Sequence, residues 1–201
     1  MRIIAGSAKG RPLKVPKSGS VRPTADRVKE TLFNVLGQWL DGERVLDLFA
    51  GVGALGLEAL SRGAGHATFV ERDAATMAVL RDNARTLGFD GQARTLQKNV
   101  ARALGQLAGE GARFELVFAD PPYAAQETNG LVEEIEAAGV LAAGGRLVIE
   151  HDRRMALPPS SADGLVRFDE RRFGDTLLSF YRREEPPLGV SREGIAFVQD
   201  G

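Results

Sequence analysis

From residue 45 onward, short apolar runs alternate with stretches whose apolar positions recur at helical spacing. Val45–Phe49 reads as a buried strand, followed by a glycine turn and a helix from near Ala54 to Arg62. His66–Val70 is a second strand ending at Glu71. Ala74–Leu87 is a helix with Met77, Leu80, Ala84 and Leu87 on one side, closed by Gly88. Ala93–Gln97, ending near Asn99, is a third strand, and Val100–Ala108 a short helix. Phe114–Ala119 is almost entirely apolar, the pattern of a central strand covered on both faces. Leu131–Ala138 is helical, and Arg146–Glu150 follows as a strand after the Gly144-Gly145 turn. Val166–Arg172 and Leu177–Arg182 form a hairpin around Gly174-Asp175. Such alternation specifies a parallel sheet with right-handed crossovers. Five parallel strands and a terminal hairpin predict a seven-stranded α/β sheet, Rossmann-like, with one antiparallel strand.

The N-terminal stretch has another texture. Arg2–Val15 mixes small and basic residues, with no core-like run, and reads as two short strands around Gly6–Gly10. Arg22-Pro23-Thr24-Ala25-Asp26-Arg27 leads into a helix, with Thr24 as N-cap. Val28, Leu32, Val35, Leu36 and Trp39 fall on its buried side, and Arg27, Glu30 and Asn34 on its polar side. The chain divides into a basic hairpin arm (1–20), a main domain (21–183) and a Pro/Gly-bearing tail (184–201) expected to be flexible.

Charge sharpens that division. Residues 1–40 carry eight Lys/Arg against Asp26 and Glu30, a net of +6. The totals of 26 basic and 27 acidic residues leave 18 and 25 for the remainder, a net of −7. A basic arm on an acidic body points to a polyanionic partner met by Lys9, Arg11, Lys14, Lys17, Arg22 and Arg27. The chain has no cysteine, and its two histidines, His66 and His151, are far apart, so no metal site is expected. The N-terminus is too short in apolar residues for a signal peptide or membrane anchor. These features suit a monomer in the cytoplasm.

The candidate chemistry gathers at strand ends. Gly51-x-Gly53-x-x-Gly56 follows the first strand. Gly51 permits backbone angles closed to other residues, Gly53 leaves no Cβ facing a ligand, and Gly56 lets the helix lie close on its strand. The helix start is expected to offer free N–H groups to a nucleotide-like cofactor. Asp47, Glu71, Asn99 and Asp120 stand at the carboxyl ends of four strands, where such sheets bind ligands. Glu71 lies 20 residues past Gly51, as ribose recognition requires. Asp47 would repel a pyrophosphate but attract the ammonium of a methionine moiety, which favours S-adenosylmethionine over a dinucleotide. Asp120-Pro121-Pro122-Tyr123 ends the apolar fourth strand. Asp120 and the Pro121 carbonyl are a rigid pair of acceptors suited to an exocyclic amine, and Tyr123 offers a face on which an extruded base can stack.

VLDLFAGVGALGLEALSRGA, DPPY, RIIAGSAKGRPL and RPTADRVKETLFN together resemble the bacterial 16S ribosomal RNA guanine-N2 methyltransferase family, RsmD. The resemblance runs from Arg2 to about Arg182, with Val52 where the family usually has serine. It implies a class I methyltransferase fold, with S-adenosylmethionine as methyl donor and S-adenosylhomocysteine as product. Asp47, Gly51, Gly53 and Glu71 would be cofactor contacts, with Asn99 at the adenine and Asp120, Pro121 and Tyr123 at the target amine. It further implies a basic arm on 16S rRNA, and action on guanine 966 in the small subunit or an assembly intermediate. An adenine-N6 or other exocyclic-amine methyltransferase fits the same DPPY motif. An NAD-dependent oxidoreductase and a non-catalytic RNA-binding module are the readings from other classes.

Overall fold

The computed structural model describes residues 1–16, 26–122, 130–161 and 164–184. Helix α1 (Asp26–Leu36) precedes β1 (Arg44–Leu48), α2 (Ala54–Ser61), β2 (His66–Glu71), α3 (Ala74–Leu87), β3 (Ala93–Gln97) and α4 (Val100–Gly109). The chain continues through β4 (Phe114–Ala119), α5 (Leu131–Ala137), β5 (Leu141–Asp152), β6 (Leu165–Phe173) and β7 (Thr176–Arg183). One seven-stranded sheet has the order β3-β2-β1-β4-β5-β7-β6. The first five strands run parallel, and β7 is antiparallel to both β5 and β6. The chain winds outward from β1 to β3 and then returns to β4, so the order reverses between β1 and β4. That reversal opens a crevice at their carboxyl ends.

β5 is longer than its apolar core suggested. It begins at Leu141, and the Gly144-Gly145 pair lies within it at a break of register, Phe114 pairing with Leu141 and Leu116 with Arg146. The glycines therefore make a bulge in the strand and not a turn before it. Trp39 departs from expectation too. α1 stops at Leu36, Gly37 turns the chain at φ +110°, and Leu40 takes the buried place while Trp39 is 70% exposed. Phe33 supplies the aromatic contact instead, packed edge-on to Phe118 at 6.1 Å. The expected Thr24 cap and the tail beyond Glu184 lie outside the described residues.

The arm is a short hairpin without extended strands: Ile3 N donates to the Arg11 carbonyl (2.9 Å), Gly10 N to the Ile3 carbonyl (2.8 Å) and Leu13 N to the Met1 carbonyl (3.1 Å). It has one antiparallel bridge, Arg2 with Pro12, and buries Ile3, Ala8 and Leu13 in the core. Its backbone is stitched to α2. Glu58 Oε2 accepts from Ile4 N (2.9 Å) and Oε1 from Ala5 N (3.0 Å). Ser61 Oγ accepts from Ala8 N (2.9 Å) and donates to the Ala5 carbonyl (2.6 Å). Gly6, at φ +82°, passes so near α2 that a Cβ would stand 1.7 Å from the Ser61 carbonyl oxygen. Covered by the sheet on one side and the arm on the other, every residue of α2 is buried, which accounts for its apolar sequence. Gly56 lets it settle, since a Cβ there would meet the Phe69 ring at 2.3 Å.

Burial of Glu58 is balanced by two buried cations. Lys29 Nζ is 3.2 Å from Oε2 and Arg62 Nε 2.9 Å from Oε1, with all three side chains at most 2% exposed. Lys29 also donates to the Arg2 carbonyl, and the Arg62 guanidinium lies 4.3 Å over the Phe33 ring. Glu58→Ala leaves two cations and two backbone amides without their shared acceptor. We expect it to cost about 3–5 kcal/mol, read as a lower urea midpoint at unchanged m-value. A midpoint equal to wild type would show that the arm is held by its apolar contacts alone.

Candidate active site

A cavity of about 660 Å³ opens at the carboxyl ends of β1, β2 and β4 and the start of α4. Its size is that of a cofactor pocket. Strand register decides who meets there. Leu48, the last residue of β1, pairs with Val70 of β2 and with Ala119 of β4. Glu71 and Asp120, each one residue further, therefore flank the end of β1. Glu71 pairs with Gln97, which sets Asn99 just beyond on the outer strand. Asp47, Gly51, Glu71, Asn99, Asp120 and Pro121 all line the one cavity.

The glycine turn is shaped by carboxylates. Phe49 leaves β1 at φ +64°, unusual for a bulky residue, and Gly51 and Gly53 follow at +55° and +88°. Glu71 bridges the loop, Oε2 accepting from Gly51 N at 3.0 Å and Oε1 from Asp73 N at 2.7 Å. Asp47 Oδ2 accepts from Gly56 N at 2.9 Å, in the first turn of α2. The N–H groups of Gly51 and Gly56, expected to be free for a ligand, are thus engaged by side chains. Two carboxylates at the loop disfavour a pyrophosphate and suit a ligand that is cationic and phosphate-free.

Asp47 is 3% exposed, and its pKa is pushed up to about 7. Burial is the main cause, the neighbouring Glu71 charge adds to it, and the Gly56 hydrogen bond opposes both. A cation bound beside it would draw the group back to its charged form.

Gly53 has a different role from the one expected. It is not among the cavity's lining residues, and a Cβ there would point into the core, 2.9 Å from Leu57 Cδ1 and 3.2 Å from Leu80 Cγ. Its place is set by backbone angle and packing. Asn99 lines the cavity and also caps α4, its Oδ1 accepting from Arg102 N at 3.0 Å. Pro121 is buried where Asp120 leaves β4, which holds the pair rigid. Tyr123 lies outside the described residues.

Other lining residues carried no sequence signal. Met1 lines the cavity, so the arm reaches the site. Phe49 does so because the turn begins two residues before Gly51, at Phe49 itself. Leu131 and Glu134 enter together from one face of α5.

The basic residues of the arm are scattered. Arg11 donates to the Thr86 carbonyl in the last turn of α3, and Lys14 Nζ is 2.5 Å from Asp82 Oδ2 on the same helix. The negative helix end and the acidic side chain hold both cations against α3 while leaving them exposed. Lys9 and Arg27 are exposed. Lys17 and Arg22 lie outside the described residues. Among the described residues no group of three His, Cys, Asp or Glu could hold a metal ion, and no helix is long and apolar enough to cross a membrane.

Comparison with known proteins agrees with this architecture. Residues 1–182 match the model of the family described as conserved hypothetical protein 95. Ribosomal RNA small subunit methyltransferase D of Escherichia coli K12 is 41% identical over 188 residues, covering 92% of this chain and 90% of its own. A solved structure of a hypothetical protein from Thermus thermophilus superimposes with a TM-score of 0.76 at 35% identity, covering 90% of this chain and 98% of that one. The Thermus thermophilus 16S rRNA N2 methyltransferase RsmC, solved with AdoMet and guanosine, gives a TM-score of 0.65 at 26% identity over 85% of this chain and 45% of its own. With its seven-stranded sheet, its strand-end cavity and a match spanning nearly its whole length, the chain belongs to the ribosomal RNA small subunit methyltransferase D family.

Proposed function

We propose that this protein transfers a methyl group from S-adenosylmethionine to the exocyclic N2 amine of a guanine in 16S ribosomal RNA. The target is guanine 966 by family resemblance, presented on the small subunit or an assembly intermediate. The observation that carries the reading is the meeting of Asp47, Glu71 and Asn99 with Asp120 and Pro121 in one cavity at the switch point of the sheet. The family supports the RNA substrate, since the E. coli relative is a ribosomal RNA methyltransferase by name.

The residues present fit the donor. Asp47 would hold the ammonium of its methionine part, Glu71 the ribose hydroxyls, the Gly51 backbone its flank and Asn99 the adenine. Both oxygens of Glu71 already accept one backbone N–H, which fixes the carboxylate and leaves lone pairs for hydroxyl donors. When bound, S-adenosylmethionine supplies an electrophilic methyl carbon.

The chain's part is alignment. A guanine amine is conjugated with its ring, so its lone pair is poorly available. Asp120 and the Pro121 carbonyl accept its two N–H groups, which turns the nitrogen toward the donor. As the nitrogen gains positive charge, the Asp120 carboxylate stabilises it more than in the ground state. Tyr123 supplies the stacking face for the base. Lys9, Arg11, Lys14, Lys17, Arg22 and Arg27 supply the cationic surface for the RNA backbone.

The decisive experiment maps methylated nucleotides in 16S rRNA from cells with and without the protein. Loss of one N2-methylguanine on deletion is the expected result, and an unchanged map overturns the reading. At the catalytic corner, Asp120→Ala should lower the single-turnover rate by about 10²–10³ while S-adenosylhomocysteine still binds. A wild-type rate in a folded variant removes Asp120 from the mechanism.

Asp47→Asn should separate stability from binding. The folded pKa of about 7 lies above the ordinary carboxylate value of 3.8, so the native state holds this proton more tightly. The stability it contributes is complete below about pH 4 and is lost as pH rises through about 7. The variant cannot ionise, so its advantage should grow from pH 4 to pH 8, by at most about 4 kcal/mol. Its affinity for S-adenosylhomocysteine should fall about ten- to hundredfold at pH 7.5, measured by calorimetry, because a charge-assisted contact is gone. Unchanged affinity would refute the ammonium contact.

A further inference from the structure

A second cavity, of about 290 Å³, lies between the arm and α1. Its walls are the Ile4–Ala5 segment and the side chains of Lys9, Glu30, Asn34, Gln38 and Arg62. Glu30 and Asn34 are four residues apart on α1 and share its exposed side; Gln38 follows the helix end and donates its amide to Asn34 Oδ1. Arg62 is a fixed wall, 2% exposed, held by Glu58 and the Phe33 ring, with Nη1 3.1 Å from the Gln38 carbonyl.

The mix of groups narrows what can bind. A carboxylate in the wall argues against a phosphate, and so polar a wall argues against an apolar side chain. Two cations, one carboxylate and two amides, presenting donors and acceptors side by side, match the edge of a nucleobase and its ribose. Two further observations point to RNA. Met1 lines the main cavity and Ile4 this one, so at most about 10 Å of arm separates the two. Trp39, the chain's single tryptophan, follows Gln38 directly and is 70% exposed, an indole available for stacking.

We propose that this cavity is a second nucleotide site, which takes one unpaired nucleotide of the RNA strand that carries the target guanine. Glu30, Asn34 and Gln38 read the base edge, Lys9 meets the adjoining phosphate, and Trp39 stacks beside them. The proposal rests on the reading of the chain as an RNA methyltransferase and names a subsite for that substrate outside the catalytic cavity.

Trp39 is the only tryptophan and directly follows Gln38 of the cavity wall, so its emission reports on RNA bound beside the cavity. The full chain is titrated with a single-stranded RNA decamer of mixed sequence, following tryptophan fluorescence and anisotropy of the labelled RNA. We expect saturable quenching. The double variant Glu30→Ala/Asn34→Ala should bind the decamer about ten- to hundredfold more weakly, while calorimetric affinity for S-adenosylhomocysteine is unchanged. Alanine at two exposed helical positions preserves helix propensity, so a matching thermal melt confirms the fold. If wild type methylates protein-free 16S rRNA while Trp39 is not quenched and the double variant binds RNA normally, the subsite is overturned and the proposed function stands. If the double variant loses activity only on ribosomal particles and binds RNA normally, the face meets a protein, and the subsite is again overturned. If no 16S rRNA is methylated but quenching and its loss in the variant are seen, the nucleotide site stands and the proposed function falls.

Discussion

One buried carboxylate holds the N-terminal half of this molecule together. Glu58 sits in a helix with no exposed residue, and its two oxygens receive two arm amides, a lysine from α1 and an arginine from just past the end of its own helix. An isolated buried carboxylate would be prohibitively unfavourable, and so would either cation without it. Together they are tolerated, and the geometry that satisfies all of them is narrow. The network therefore contributes definition more than net stability: it sets where the arm crosses α2 and where α1 lies against both. The arm's first residue then reaches the main cavity, and the next few wall the second.

A similar use of carboxylates shapes the ligand end of the sheet. In a phosphate-binding glycine loop, backbone N–H groups are kept for the ligand. Here Glu71 takes the amide of Gly51 and Asp47 that of Gly56. The loop is held in its left-handed turns by side chains from β1 and β2, and the cavity floor is acidic. The glycine spacing alone is ambiguous between dinucleotides and other nucleosides; the partners of its amides separate them. Burial of Asp47 leaves its proton loosely balanced near neutrality, a state that a bound cation resolves.

Much of this was legible along the chain. Except for β5, which begins five residues earlier than its apolar core, each parallel strand and each helix after residue 44 lies within a few residues of where periodicity placed it, and the one antiparallel strand followed from the terminal hairpin. Asp47, Glu71, Asn99 and Asp120 were recognisable as strand-end residues, because a polar residue closing an apolar run needs no tertiary knowledge to be noticed. The arm was less transparent. Ile3, Ala8 and Leu13 are spaced by a turn-rich path with no regular period, so neither a strand nor a helix template could mark them as core. Lys29 and Glu58 carry no signal of burial along the chain, since burial of a charge depends on its partners, here residues 29 apart.

The sequence by itself determined the local elements and their amphipathic faces, because strand and helix periods are written in neighbouring residues. It determined the sheet's winding as well, through the handedness of parallel crossovers. Only the tertiary structure decided which strand ends stand level, because register depends on pairing between distant segments: Leu48 opposite both Val70 and Ala119 is what brings Glu71 and Asp120 to either side of β1. It alone decided that Gly53 faces the core and that the loop amides belong to carboxylates. It alone showed that Trp39 stands in solvent, since a helix that ends at Leu36 breaks the spacing that would have buried it.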